Sequence, residues 1–103
     1  MTFAFTSEVW YWRGPAPWYF LRVPEEISRD IKAVESLVTY GWGMIPVNAH
    51  IGGSSWYTAL WPKDGQYILP LRTDIRRAEG IGDGDTVFAR LDVIMDARES
   101  QGP

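Results

Sequence analysis

Residues 67–93, with the sequence YILPLRTDIRRAEGIGDGDTVFARLDV, constrain the fold of this chain more than any other segment. The segment begins with apolar residues that end at a proline, and a short helix is predicted to follow over residues 73–79. The glycines within residues 80–84 end that helix and favour a turn. Residues 87–93 then alternate apolar with polar side chains, as a strand with one buried face does. This order of strand, short helix and returning strand is typical of small split barrels.

The rest of the chain is also organised as short strands separated by glycine-rich or proline-rich turns. In the first strand, Phe5 and Val9 fall on one face, while Trp10 and Trp12 fall on the other. The predicted elements are strands over 3–12, 18–23, 45–51, 56–61, 67–71 and 87–93, and two short helices over 25–38 and 73–79. The sequence therefore predicts a mainly β protein.

Residues 19–29 resemble residues 67–77, at a constant spacing of 48 positions. Tyrosine, apolar, acidic and arginine positions recur in the same order in both segments. A duplication would explain this, and so would the general likeness of any two strand–helix units. Either explanation suits a pseudo-symmetric barrel with two similar halves.

The length of 103 residues predicts one domain over residues 1–95, with a flexible tail over residues 96–103. No apolar run approaches the roughly 20 residues that a bilayer span needs. The chain also begins without a basic, apolar and cleavable leader. We therefore expect a soluble, cytoplasmic protein of bacterial type that does not associate with membranes.

Composition excludes several kinds of chemistry. There is no cysteine, so disulfides, thiolate metal sites and cysteine nucleophiles are absent. A net charge of −3 opposes binding to a phosphate backbone, although a local basic patch remains compatible with it. No cofactor motif and no set of metal ligands is recognisable, and we predict neither group. Aromatic residues are in excess, because six tryptophans occur in this short chain.

The tryptophans are the first candidate site. Aromatic ring faces bind flat apolar ligands and nucleobases, but they also fill small barrels. Trp10 and Trp12 share the polar face of the first strand, which predicts that they lie outside the core. Together with Trp56 they are predicted to contribute to an aromatic ligand-binding site.

Two further candidates carry charge. Arg72 and Arg76 flank the start of the second predicted helix, where they would hold a phosphate or carboxylate unless nearby acidic residues neutralise them. His50 is the single histidine, and alternation places it on the outer face of its strand. Ser54 and Ser55 lack the context of a nucleophile elbow, so we interpret them as part of a turn.

Several segments occur in a fixed order along the chain: Gly52-Gly53, SWYTALWP from Ser55, ILPL from Ile68, DIRR from Asp74 and GDTV from Gly84. In this combined pattern the chain resembles the DUF1905 family, a domain of unknown function. The resemblance covers about residues 3–93. Tyr57 and Asp74 depart from the pattern at positions where more basic residues are expected, which weakens any shared anion site.

The resemblance implies a double-split β-barrel related to the AbrB-like swapped-hairpin fold, whose members include regulators and antitoxins that bind DNA as dimers. It implies no established activity. Two similar halves on one chain would complete such a barrel alone, so both a monomer and a homodimer agree with it.

Three functions remain open at this stage. We favour a non-enzymatic module that binds a small molecule or a protein partner through an aromatic-rich site. The first alternative is an AbrB-like regulator that binds nucleic acid, which rests on fold resemblance alone. The second alternative is a small barrel enzyme that uses His50, Glu8 or Glu26 as a pocket acid or base.

Overall fold

The structure is a computed structural model that describes residues 1–15, 17–38 and 43–95. The strands are β1 (Thr2–Trp12), β2 (Trp18–Arg22), β3 (Ile45–Ile51), β4 (Ser54–Lys63), β5 (Gln66–Leu71) and β6 (Thr86–Val93). The helices are α1 (Glu25–Lys32), α2 (Glu35–Val38) and α3 (Thr73–Glu79). The tail predicted at residues 96–103 lies outside the described residues, as does Trp42.

The six strands close into an antiparallel barrel in the order β1-β2-β5-β4-β3-β6, and β6 pairs with β1 to complete it. Each strand therefore pairs with two neighbours, and most strands do so over only part of their length. The mainly β barrel predicted from the sequence is confirmed. Within the described part of the chain, no helix has the length and apolar character needed to cross a membrane.

The barrel has two similar halves. Exchanging β1 with β4, β2 with β5 and β3 with β6 leaves the order of strands around the barrel unchanged. Leu21 pairs with Leu69 at the centre of the β2–β5 ladder, so the pseudo-twofold axis passes between these two residues. Leu21 and Leu69 are also equivalent positions in the sequence similarity at a spacing of 48 residues. The strand register therefore agrees with that sequence similarity.

The core occupies the inside of the barrel. Alternate residues of each strand point inward, because successive side chains of a strand leave opposite faces. The fully buried interior side chains include Leu21, Val23, Ile45, Val47, Ala49, Leu60, Leu69, Ala89 and Leu91. Ile31 of α1 and Ile75 of α3 extend this core on the helices.

The first helical region differs from its prediction. Residues 25–38 were expected to form one helix, but the structure has α1 and α2, separated by a turn at Ala33 and Val34. Val34 N–H bonds to the carbonyl of Ile31, and Leu37 N–H bonds to that of Val34, which are the tighter bonds of a 3₁₀ turn. The spacing of apolar residues does not by itself distinguish one long helix from two short ones. Leu37, which belongs to the predicted apolar face, is exposed in the structure.

Ser28 joins α1 to the barrel. Its hydroxyl donates to the carbonyl of Val23 at 3.0 Å and accepts from the N–H of Tyr67 at 3.1 Å. It therefore lies between two backbone groups that would otherwise pair across β2 and β5. The Tyr67 hydroxyl donates to Glu35 of α2, and burial raises the pKa of Tyr67 to about 12.

We expect Ser28→Ala to lower the free energy of unfolding by about 1–3 kcal/mol, because it leaves the buried Tyr67 N–H without its acceptor. Urea denaturation followed by circular dichroism measures the change. Ser36→Ala makes the same substitution at an exposed serine of α2 and serves as the control. An equal effect of the two variants would show that the Ser28 bridge does not stabilise the fold.

Candidate functional site

The first notable surface is an aromatic face on the outside of β1, β2, β5 and β4. We define the aromatic face by its outward-pointing side chains: Trp10, Trp12, Trp18, Phe20, Trp61, Ile68 and Pro70. Phe20 and Ile68 are only 2% exposed although they are absent from the core cluster inside the barrel. A second apolar layer therefore lies outside the barrel wall, and half-exposed tryptophans cover it.

Trp18 and Trp61 are the centre of the aromatic face. Their ring centroids are 6.3 Å apart, and Trp18 also contacts Phe20 at 5.1 Å. A cavity of about 490 Å³ lies between Trp18, Trp61, Pro17 and Pro70. A second cavity of about 200 Å³ is lined by the same two tryptophans together with Trp12, Pro62, Lys63 and Ile68. Trp18 and Trp61 thus line both cavities, which we call the two slots.

Cations border the aromatic face. The Lys63 ammonium lies 4.5 Å from the centroid of the Trp12 ring, and the Arg22 guanidinium lies 5.2 Å from that of Trp10. Such contacts hold the rings in place and make the rim of the surface positive. The carboxylate of Asp64 is 4.0 Å from Lys63, at the limit of an ion pair.

A second notable surface is polar and lies on the outside of β4, β3, β6 and β1. His50 Nδ1 is 2.7 Å from the hydroxyl oxygen of Ser55, and His50 Nε2 is 2.8 Å from Asp92 Oδ2. Thr2 donates to Asp92 Oδ1 at 3.0 Å. Ser55, His50 and Asp92 therefore form one hydrogen-bonded chain, which we call the polar relay.

The carboxyl group of Asp92 is the acidic end of the polar relay. The hydrogen bond from His50, followed by that from Thr2, holds the pKa of Asp92 below its usual value. Asp92 is therefore ionised at neutral pH and can only accept hydrogen bonds. In the neutral imidazole, Nε2 must then carry the proton and donate to Asp92, which leaves Nδ1 to accept from the Ser55 hydroxyl.

The remaining predicted site residues lie apart from both surfaces. Trp56 points into the barrel and is 5% exposed, so it is separated from Trp10 and Trp12. Arg72 forms a two-point ion pair with Asp74, at 3.1 and 2.9 Å. This agrees with the interpretation that nearby acidic residues neutralise the arginine charge. Arg76 packs 3.7 Å from the centroid of the Tyr19 ring and donates to the carbonyl of Ile81. Glu8 and Glu26 are exposed on β1 and α1.

Sequence reasoning missed part of each surface. Trp18 and Trp61 are among the candidate tryptophans but not among the predicted site residues, although their outward positions follow from alternation in β2 and β4. Ser54 and Ser55 were assigned to a turn, but the turn is confined to Gly52 and Gly53, and both serines belong to β4. Asp92 reaches His50 from 42 positions along the chain, a contact that local spacing does not reveal.

Comparison with known proteins gives a family but no activity. Residues 5–91 match a family described as a domain of unknown function, DUF1905, and this range is most of the chain. The chain belongs to the DUF1905 family. None of the curated proteins matches it. The DUF1905 match includes the whole aromatic face, Ser55 and His50, and it ends one residue before Asp92.

Among the residues that the structure describes, no three potential histidine, aspartate or glutamate ligands come close enough to hold a metal ion.

Proposed function

We propose that this protein is a binding module that holds an extended, proline-rich segment of another protein on its aromatic face. The observation that carries this proposal is the pair of slots that share Trp18 and Trp61 in their walls. Grooves lined by aromatic rings bind polyproline II segments because these segments are preformed and lose little entropy on binding.

The chemistry of the slots favours this ligand. Their walls consist mainly of tryptophan and proline side chains, and the larger slot offers only such residues. Proline rings pack against flat indole faces without needing side-chain hydrogen bonds. The polyproline helix repeats every three residues, so prolines on one side of the ligand occupy neighbouring slots.

Charge on the rim adds a preference. Lys63 and Arg22 stand over the outermost tryptophans and present positive charge beside the slots. Acidic residues flanking the prolines would meet these cations. A single-stranded nucleic acid would also stack on indole rings, but the overall charge of −3 disfavours a polyanion.

The test is fluorescence anisotropy with a fluorescein-labelled peptide of ten prolines flanked by glutamates. We expect saturable binding, and we expect Trp61→Ala to weaken it roughly 30-fold or more, as truncation of a central aromatic contact does. Trp18→Ala should have a similar effect, because both slots share these two rings. Trp61 is 49% exposed, so its truncation leaves the core intact.

Tyr57→Ala is the matched control, because Tyr57 is an exposed aromatic residue of the same strand but pairs with Asn48 of β3, away from the slots. Its affinity should equal that of the wild type. A glycine–serine peptide of equal length and charge should not bind. If the proline peptide did not bind, the aromatic face would not be a polyproline site. If oligothymidylate bound instead, with an affinity that falls with salt and is lost in Trp61→Ala, the ligand would be nucleic acid.

A further inference from the structure

The polar relay is separate from the aromatic face and is not needed for peptide binding. It contains a hydroxyl, an imidazole and a carboxylate in series, at 2.7 and 2.8 Å. This is the arrangement in which a histidine removes the proton of a serine while a carboxylate fixes the imidazole. The two ring nitrogens are exchanged relative to the serine proteases. The chemistry requires only that one nitrogen donates to the carboxylate and that the other accepts from the hydroxyl.

The neighbouring serine shows that Ser55 is differently placed. The Ser54 hydroxyl donates to Glu79 at 2.6 Å and anchors the β3–β4 turn to the end of α3. Ser55 points to the other face of β4, is exposed and contacts His50 directly across the strand pair. Its oxygen is therefore accessible to a substrate, while its proton already has an acceptor.

A cavity of about 490 Å³ lies at the end of β3 beside the start of β6, and its lining includes no residue of the polar relay. Gly52 and Phe88 line it, together with Ile51, Glu79, Ile81 and Val87. Gly52 is two residues from His50, and Phe88 is two residues from Arg90, the register partner of His50. Phe88 is therefore an exposed apolar side chain on the strand that neighbours β3, while Ser55 lies on the other side of β3.

We propose that Ser55, His50 and Asp92 form an acyl-transfer site that cleaves small uncharged carboxylic esters. The polar relay lies on an open strand surface, so a substrate reaches Ser55 without entering a deep pocket.

The reaction proceeds in two balanced steps. The Ser55 oxygen attacks the ester carbonyl carbon while its proton passes to His50 Nδ1, and the C–O bond to the alcohol then breaks as the alcohol takes that proton. Water next attacks the acyl-Ser55 ester and gives its proton to Nδ1, after which the carboxylic acid leaves and Ser55 regains its hydrogen. Asp92 stays ionised throughout and stabilises the imidazolium.

The test combines p-nitrophenyl butyrate hydrolysis with labelling by a fluorophosphonate, followed by mass spectrometry of the modified peptide. The wild-type protein should release p-nitrophenol above the buffer rate and carry the label on Ser55. Ser55→Ala should abolish both signals. His50→Gln should slow both roughly 100-fold or more, because the proton acceptor is lost.

Ser54→Ala is the matched control, since it removes the adjacent hydroxyl without touching the polar relay. It should retain the labelling and hydrolysis rates of the wild type. Ser55 is exposed, so Ser55→Ala is expected to unfold at the same urea concentration as the wild type. Hydrolysis no faster than in buffer, labelling that persists in Ser55→Ala, or a label found on another residue would each overturn the proposal.

Discussion

Truncation of either leucine at the pseudo-twofold axis is expected to lower the free energy of unfolding by about 3–5 kcal/mol. Leu21 and Leu69 face each other in the β2–β5 ladder, and neither side chain is exposed to solvent. Replacing one with alanine removes buried methyl groups and leaves a cavity that the closed barrel cannot fill by moving an edge strand. Stability of a small domain is only about 5–15 kcal/mol, so each variant loses a large part of it.

The symmetry of the barrel sharpens this prediction. Leu21→Ala and Leu69→Ala should have nearly equal effects, because the two positions are equivalent under the pseudo-twofold exchange. The double variant should lose less than the sum of the two, since the residues pair and share one cavity. Urea denaturation of all three variants measures these differences.

Leu37→Ala provides the matched control for the leucine variants. Leu37 is 67% exposed on α2, and its truncation should change the free energy of unfolding by no more than about 0.5 kcal/mol. If Leu21→Ala cost no more than Leu37→Ala, the β2–β5 ladder would not be the centre of the core. Clearly unequal effects of Leu21→Ala and Leu69→Ala would instead show that the two halves pack differently.

The barrel was predictable from the sequence because its signals are local. Alternation in β1 placed Phe5 and Val9 inward and Trp10 and Trp12 outward, as observed. Glycine positions marked the turns, and the left-handed conformation of Gly80, with φ of +65°, ends α3 where the pattern predicted. Such features depend on a few neighbouring residues and need no knowledge of the pairing.

The candidate surfaces were less predictable because they depend on which strands are neighbours. Trp18 and Trp61 meet only because β5 brings β2 and β4 together, with Ile68 between them as the partner of Trp61. Asp92 reaches His50 because β6 pairs with β3 at the far end of the chain. Trp56 and Trp61 lie on one short strand, yet alternation sends the first into the core and the second outward.

Replacement of Trp56 by alanine is expected to cost about 3–5 kcal/mol, whereas replacement by phenylalanine should cost much less, about 1–2 kcal/mol. Trp56 is 5% exposed and packs in the core cluster. Its indole Nε1 has no hydrogen-bond acceptor among the residues that the structure describes. Burial of Trp56 therefore has two opposing effects on stability. The contacts of its large ring stabilise the fold, and the desolvated N–H destabilises it.

The two substitutions separate these opposing contributions. Alanine removes the N–H together with the whole indole ring, so the cavity cost dominates. Phenylalanine removes the N–H and retains a six-membered ring, so relief of the unsatisfied donor offsets part of the lost packing.

Thermal and urea unfolding of both variants measure the difference. Trp61→Phe, on the exposed face of the same strand, is the control, and its free energy of unfolding should change by less than about 0.5 kcal/mol. If Trp56→Phe destabilised the protein as much as Trp56→Ala, the indole N–H would have to contribute favourably in the folded state. Trp56 would then hold a polar contact inside the barrel, and its role would extend beyond filling the core.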